Sequence, residues 1–142
     1  MKGRLDLSYY HLGNDGLNAI LPTLSDQYLL SIKYLNLSYN SVNDAGLDGI
    51  IQEMASLCSP IEELDLSGNH ISDGQIKLLA DFIKQGKLKY LGKVGVANCP
   101  KITEDGHRVL KLATRRAQSN KGDPKLNKMY AAAVTRDKEA FK

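Results

Sequence analysis

Two histidines, His11 and His70, a row of serines, Ser8, Ser38 and Ser67, and two carboxylates, Asp6 and Asp65, recur at spacings of 29, 30 or 59 residues. Histidine nitrogens bind zinc, a serine beside a base becomes a nucleophile, and paired carboxylates exchange protons. If each recurrence marks one strand of a sheet, neighbouring copies lie ~4.8 Å apart and second neighbours ~10 Å apart. Residues two copies apart then cannot share one ion or one proton. No base stands beside the serines, and Asn36 lies between the two carboxylates. Gly86-Lys87 has Asp81 where a phosphate loop needs its first glycine, and no G-x-G-x-x-G occurs. The expectation is a chain with no catalytic residue, no cofactor and no metal.

The element that positions these residues runs from Ile32 to Leu47. Ile32, Leu35, Leu37 and Val42 have strand-like spacing, whereas Leu47, Ile50, Ile51 and Met54 have helical spacing. A unit with two apolar faces buries them only against a copy of itself. The copies exist. Leu5, Leu7 and Leu12 lie 30 residues upstream of Leu35, Leu37 and Val42, and Leu64, Leu66, Asn69 and Ile71 lie 29 downstream of their counterparts. A looser fourth copy reads Leu91, Val94, Val96, Cys99 and Ile102, with one additional residue after Cys99.

The pattern Leu-x-x-Leu-x-Leu-x-x-Asn/Cys-x-Leu resembles the leucine-rich repeat over roughly residues 1–113. The long unit and the join Asn43-Asp44-Ala45-Gly46-Leu47 look like the ribonuclease-inhibitor type, while Cys99 followed by Ile102-Thr103-Glu104-Asp105-Gly106 looks like the cysteine-containing type. The resemblance implies an α/β fold: a short right-handed solenoid of about four repeats, with a parallel sheet on the concave side and helices on the convex side. It also implies a class of function, because relatives such as the ribonuclease inhibitor, the activator of the Ran GTPase and tropomodulin-like actin cappers act by binding protein. None of their contact residues can be placed on this chain.

Each repeated residue has a physical role. Leu35 and Leu37 share one side of a strand and form a ladder with Leu5/Leu7, Leu64/Leu66 and Val94/Val96. Asn40 and Asn69 stand where a buried amide can satisfy turn backbone that would otherwise cost roughly 1–3 kcal/mol per group. Tyr10 and Cys99 replace them at the two ends, so the ladder is expected to be weakest there. Pro22 is tolerable only in the first turn of a helix or at the end of a short one. Asn43 or Asp44 is expected to cap the second helix, and Ser72-Asp73-Gly74-Gln75 reads as a capping box for the third. Gly92 and Gly95 weaken the fourth strand, and His107 and Lys111 replace the apolar residues of its helix.

The 142 residues are 42% hydrophobic and 25% charged, ordinary for a globular chain, and hold no apolar run long enough to span a membrane. Met1-Lys2-Gly3-Arg4-Leu5 enters the first strand at once, which reads as no secretory signal. Cys58 and Cys99 stand in different positions of their repeats, so no disulfide and a cytoplasmic location are expected. The net charge of +3 hides an asymmetry: residues 113–142 carry eight Lys/Arg against three Asp/Glu, leaving the body mildly acidic. We divide the chain into a repeat domain, 1–113, and a basic extension, 114–142. In the extension, 115–123 reads as a polar linker, followed by an amphipathic helix over about 124–140 with Leu126, Met129, Tyr130, Val134 and Phe141 on one stripe. That helix is a cap on the fourth repeat, an arm docking on a partner, or a disordered tail.

The residues between the ladder leucines form an open face. Arg4, Tyr34, Glu63 and Lys93 make one row, Asp6, Asn36, Asp65 and Gly95 the next, and Tyr9 and Tyr39 stand at the rim. Extended concave faces of repeat arrays bind partners, and aromatic residues are over-represented at interfaces. The plain alternative is that these tyrosines are merely exposed. The expected partners are other proteins in a multi-subunit, cytoskeletal or ciliary assembly, whose acidic surfaces attract the basic extension. The alternative is a ribonucleoprotein subunit that binds nucleic acid through that extension. Against it, Tyr130 and Phe141 lie on the apolar stripe and are not interleaved with the basic residues.

Overall fold

The computed structural model describes residues 3–24 and 26–120. Four β-α units follow one another. The first contains β1 (Arg4–Asp6), α1 (Gly13–Ile20), a 3-10 turn (Leu21–Thr23) and α2 (Asp26–Ser31). The others are β2 (Tyr34–Asn36) with α3 (Asp44–Ser56), β3 (Glu63–Asp65) with α4 (Asp73–Lys84), and β4 (Lys93–Gly95) with α5 (Glu104–Asn120). The strands form one parallel sheet in the order β1-β2-β3-β4. Leu5 pairs with Leu35, Leu35 with Leu64, and Leu64 with Val94, without offset. This is the β-α solenoid that the repeat spacing implies.

Its core lies between the sheet and the helices. Leu35, Leu37, Leu64 and Leu66 are buried with Leu47, Ile50, Ile51, Met54, Ile76, Leu79 and Ile83, and each such side chain contributes ~1.5–3 kcal/mol on leaving water. Leu5, Leu7, Val94 and Val96 are only half-buried, because the first and last rungs each have one neighbour. Pro22 sits in the 3-10 turn that ends α1, where its missing N–H costs least.

Two polar ladders join the repeats. In the first, Asn69 Oδ1 accepts from Asn40 N (3.1 Å) and Val42 N (3.0 Å), while Nδ2 donates to the carbonyls of Leu37, Leu66 and Ser67. Asn40 does the same for Tyr10 N, Leu12 N and the carbonyls of Leu7, Leu37 and Ser38. Cys99 keeps only the donor half of this function, its thiol pointing to Leu66 O at 3.3 Å. The second ladder runs along the helix starts: Asn14 Oδ1 accepts from Asn43 N, Asp44 from Ser72 N, and Asp73 from Thr103 N.

Two expectations need correction. Asn43 caps α3 through Ala45 N and Gly46 N, but the capping box at Ser72 and Gln75 does not form. Asp44 of the preceding repeat draws the Ser72 hydroxyl away, so Ser72 makes no side-chain cap bond, and Gln75 is buried with its Nε2 unpartnered. Residues 115–120, read as linker, continue α5. Ala113 and Ala117 are buried on one face of that helix, and Gln118 donates to Gly92 O at 2.7 Å. Beyond these, the glycines of the fourth repeat leave room for neighbouring side chains. A Cβ on Gly92 would meet the Gln118 side chain at 2.8 Å, and one on Gly95 would meet Asp65 Oδ1 at 2.8 Å. The stripe Leu126, Met129, Tyr130, Val134 and Phe141 lies outside the described residues.

Candidate interaction surface

The strand register places Arg4, Tyr34, Glu63 and Lys93 side by side, and likewise Asp6, Asn36, Asp65 and Gly95. Both expected rows therefore exist on the open face of the sheet. The Arg4 guanidinium lies 4.0 Å from the centre of the Tyr34 ring. A shallow depression of about 90 Å³ opens between Tyr34, Glu63, Asp65, Lys93 and Gly95.

At the rim the tyrosines are organised by their neighbours. Tyr9 and Tyr39 stack with ring centres 4.7 Å apart and planes inclined by 7°. Tyr39 OH accepts from Asn98 Nδ2 at 2.7 Å, so its ring crosses Gly68. That glycine is required twice: its φ is +73°, and a Cβ would lie 2.2 Å from the Tyr39 ring. Tyr9, Tyr39 and Asn98 hold the same left-handed backbone in their own repeats. Gly68 and Asn98 were not singled out in the sequence. The signal was available, because both stand at the Tyr39 position of their repeats.

The hydroxyl row is structural. Ser8 and Ser38 donate to Asp6 and Asn36 of their own strands at 2.6 Å, and Ser67 Oγ accepts from Ala97 N at 3.1 Å. Donation by the Ser8 hydroxyl and then by its amide holds the Asp6 carboxyl below its ordinary value. His11 and His70 are exposed and lie two repeats apart, His70 in a parallel bridge with Asn43. Among the described residues no group of three or more His, Cys, Asp and Glu is placed to hold a metal ion.

A family model described as Leucine Rich repeat matches residues 28–50 and 57–80. Two leucine-rich repeats are thus found within residues 28–80, the matched residues making up about a third of the chain. The two matched repeats contain the fully formed asparagine ladder, Asn40 and Asn69. The leucine-rich units on either side lie outside the matched residues; they are the ones with Pro22 and Tyr10 or with Cys99 and an extra loop residue. No curated protein matches the chain. Among the described residues no helix is long and apolar enough to cross a membrane.

Proposed function

We propose that this chain is a non-catalytic protein-interaction module of the ribonuclease-inhibitor type, and that the open face of its sheet is the contact surface. The observation that carries this reading is the Tyr9-Tyr39 stack tied to Asn98. Aromatic side chains already held in place lose little entropy on binding, so their apolar area converts to affinity at small cost. Arg4, Tyr34, Asn36, Glu63, Asp65 and Lys93 add charged and polar contacts beside them, which set orientation and partner choice.

The basic extension supports a second contact. An acidic protein surface, such as that of tubulin, is attracted to it over a Debye length. In this reading the protein is a small scaffold subunit of a larger cytoplasmic assembly, cytoskeletal or ciliary. Leu126, Met129, Tyr130, Val134 and Phe141, which share one stripe if the segment is helical, are the residues proposed to meet that partner.

The test compares affinity capture by the wild-type chain, by Tyr39→Ala/Glu63→Lys on the open face, and by Asp81→Lys on the exposed side of α4. The open-face variant is expected to lose the wild-type partners while Asp81→Lys keeps them. The reverse result contradicts the assignment.

A further inference from the structure

The last repeat ends the stack with a different chemistry from the others. In α3 and α4 the column facing the core carries Leu47 or Ile76, Ile51 or Ala80, and Met54 or Ile83, all buried. The equivalent residues of α5 are His107, Lys111 and Thr114, of which the first two are exposed. Lys93 and Lys101 are exposed on the same repeat. Of the nearby carboxylates, Asp105 is held by Lys77 and Arg108, and Glu104 is exposed at the start of α5, outnumbered by the cations of the repeat. The open end of the solenoid is therefore positive and polar, unsuited to stacking a further leucine-lined repeat.

Beside this positive surface lies a strand edge to which, among the described residues, no further strand is paired. β4 is the last strand of the sheet. Lys93 N donates to Glu62 O and Gly95 O accepts from Leu66 N, both toward the preceding repeat. In a parallel strand alternate residues point their backbone groups to opposite sides, so the Val94 N–H and C=O face outward. Next to this edge is a shallow, open groove lined by Val96, Ala97, Asn98, Cys99, Pro100 and His107. An unpaired edge with an adjacent side-chain groove is the arrangement used to add an extended peptide as an extra strand.

We propose that the open end of the fourth repeat docks an extended acidic peptide segment of a partner protein, paired to the β4 edge, with one apolar side chain in the Val96-Pro100 groove and carboxylates facing Lys101, His107 and Lys111. Charge selects this occupant. The chain's own residues 121–142 carry six Lys/Arg against three Asp/Glu, the same sign as the surface. This site adjoins the open face of the sheet at Lys93 but does not depend on the tyrosines of that face.

The probe is a fluorescein-labelled twelve-residue peptide, (Glu-Val-Glu-Thr) repeated three times, titrated with the full chain and read by anisotropy. Its counterpart with lysine for glutamate and a twelve-nucleotide oligo-dT serve as competitors. Binding of the glutamate peptide is expected to exceed that of the lysine peptide by at least about tenfold, to weaken with salt, and to fall by about tenfold in His107→Glu/Lys111→Glu. Lys101→Glu, in an exposed loop, lowers it without touching the helix. Tyr34→Ala leaves it unchanged, which keeps this test distinct from that of the open face. Backbone resonances of Val94 and Val96 shift on binding. The proposal is overturned if the wild-type chain does not bind the peptide, or if neither end-face variant weakens binding. It is also overturned if oligo-dT displaces the peptide at lower concentration than unlabelled peptide does. Loss of binding only on charge reversal at Lys125 and Lys128 assigns the peptide to the extension and contradicts the end-face site.

Discussion

Asn40 gives its backbone N–H to the side-chain oxygen of Asn69, 29 residues further on, at 3.1 Å. Both residues are fully buried. The carboxamide of Asn69 thus closes the turn that holds Asn40, and the carboxamide of Asn40 closes the turn of the first repeat.

Removing that amide leaves several buried backbone groups without a partner. Asn69→Ala is expected to cost at least about 3 kcal/mol, since each unsatisfied group costs roughly 1–3 kcal/mol. Cys99→Ala, which removes one thiol donor at the end of the ladder, costs less, about 1 kcal/mol. Urea unfolding of the two variants measures the difference; equal losses contradict the ladder.

Leu37 is buried between its equivalents Leu7 and Leu66. Leu37→Asp puts an unpaired charge in that column and is expected to abolish cooperative unfolding, because desolvating the carboxylate exceeds the stability of a small domain. A soluble variant with unchanged circular dichroism and melting contradicts the register.

Gly68→Ala is expected to lower Tm by roughly 5–10 °C, since a left-handed backbone costs a non-glycine residue ~1–2 kcal/mol and the new methyl displaces the Tyr39 ring. Near-ultraviolet circular dichroism of the tyrosines changes with it. If the Tyr9-Tyr39 signal is unaltered, the ring does not lie across Gly68.

Acid sensitivity follows from the second ladder. The Thr103 hydroxyl, then its amide, hold the Asp73 carboxyl below its ordinary 3.8, and the Arg108 and Lys77 cations do the same for Asp105. A depressed folded-state value adds stability that is complete above the unfolded value of 3.8 and is lost as pH falls through the lower folded value. Melting is therefore expected to be flat on the neutral side and to fall in the acid limb. Asp73→Asn lowers Tm at neutral pH and flattens that limb. Both carboxylates are exposed, so the effect is small.

The parts of the fold legible in the sequence were those written in residue type and spacing. Leu35, Leu64 and their counterparts repeat an apolar period that only one register satisfies, and the register fixes which residues face outward. The turn amide of Asn40 was legible for the same reason. The Ser72-Asp44 contact was not, because Ser72 and Gln75 also spell a local cap, and only the neighbouring repeat decides which partner wins. The extent of α5 was hidden by its composition. Arg115, Arg116 and Gln118 read as polar linker, yet a helix lying on α4 needs only the narrow Ala113/Ala117 stripe. The rim stack joins Tyr9 and Tyr39 at one repeat position, but Gly68 and Asn98 hold that position in the next two repeats with different residue types, and type is what the apolar pattern reads.

Methyl-methyl nuclear Overhauser contacts across the sheet address the stacked-repeat account most directly. It predicts contacts of Leu35 with both Leu5 and Leu64, of Leu64 with Val94, and none between Leu5 and Val94. A Leu5-Leu64 contact without Leu35 between them, or no contact between Leu35 and Leu64, contradicts it.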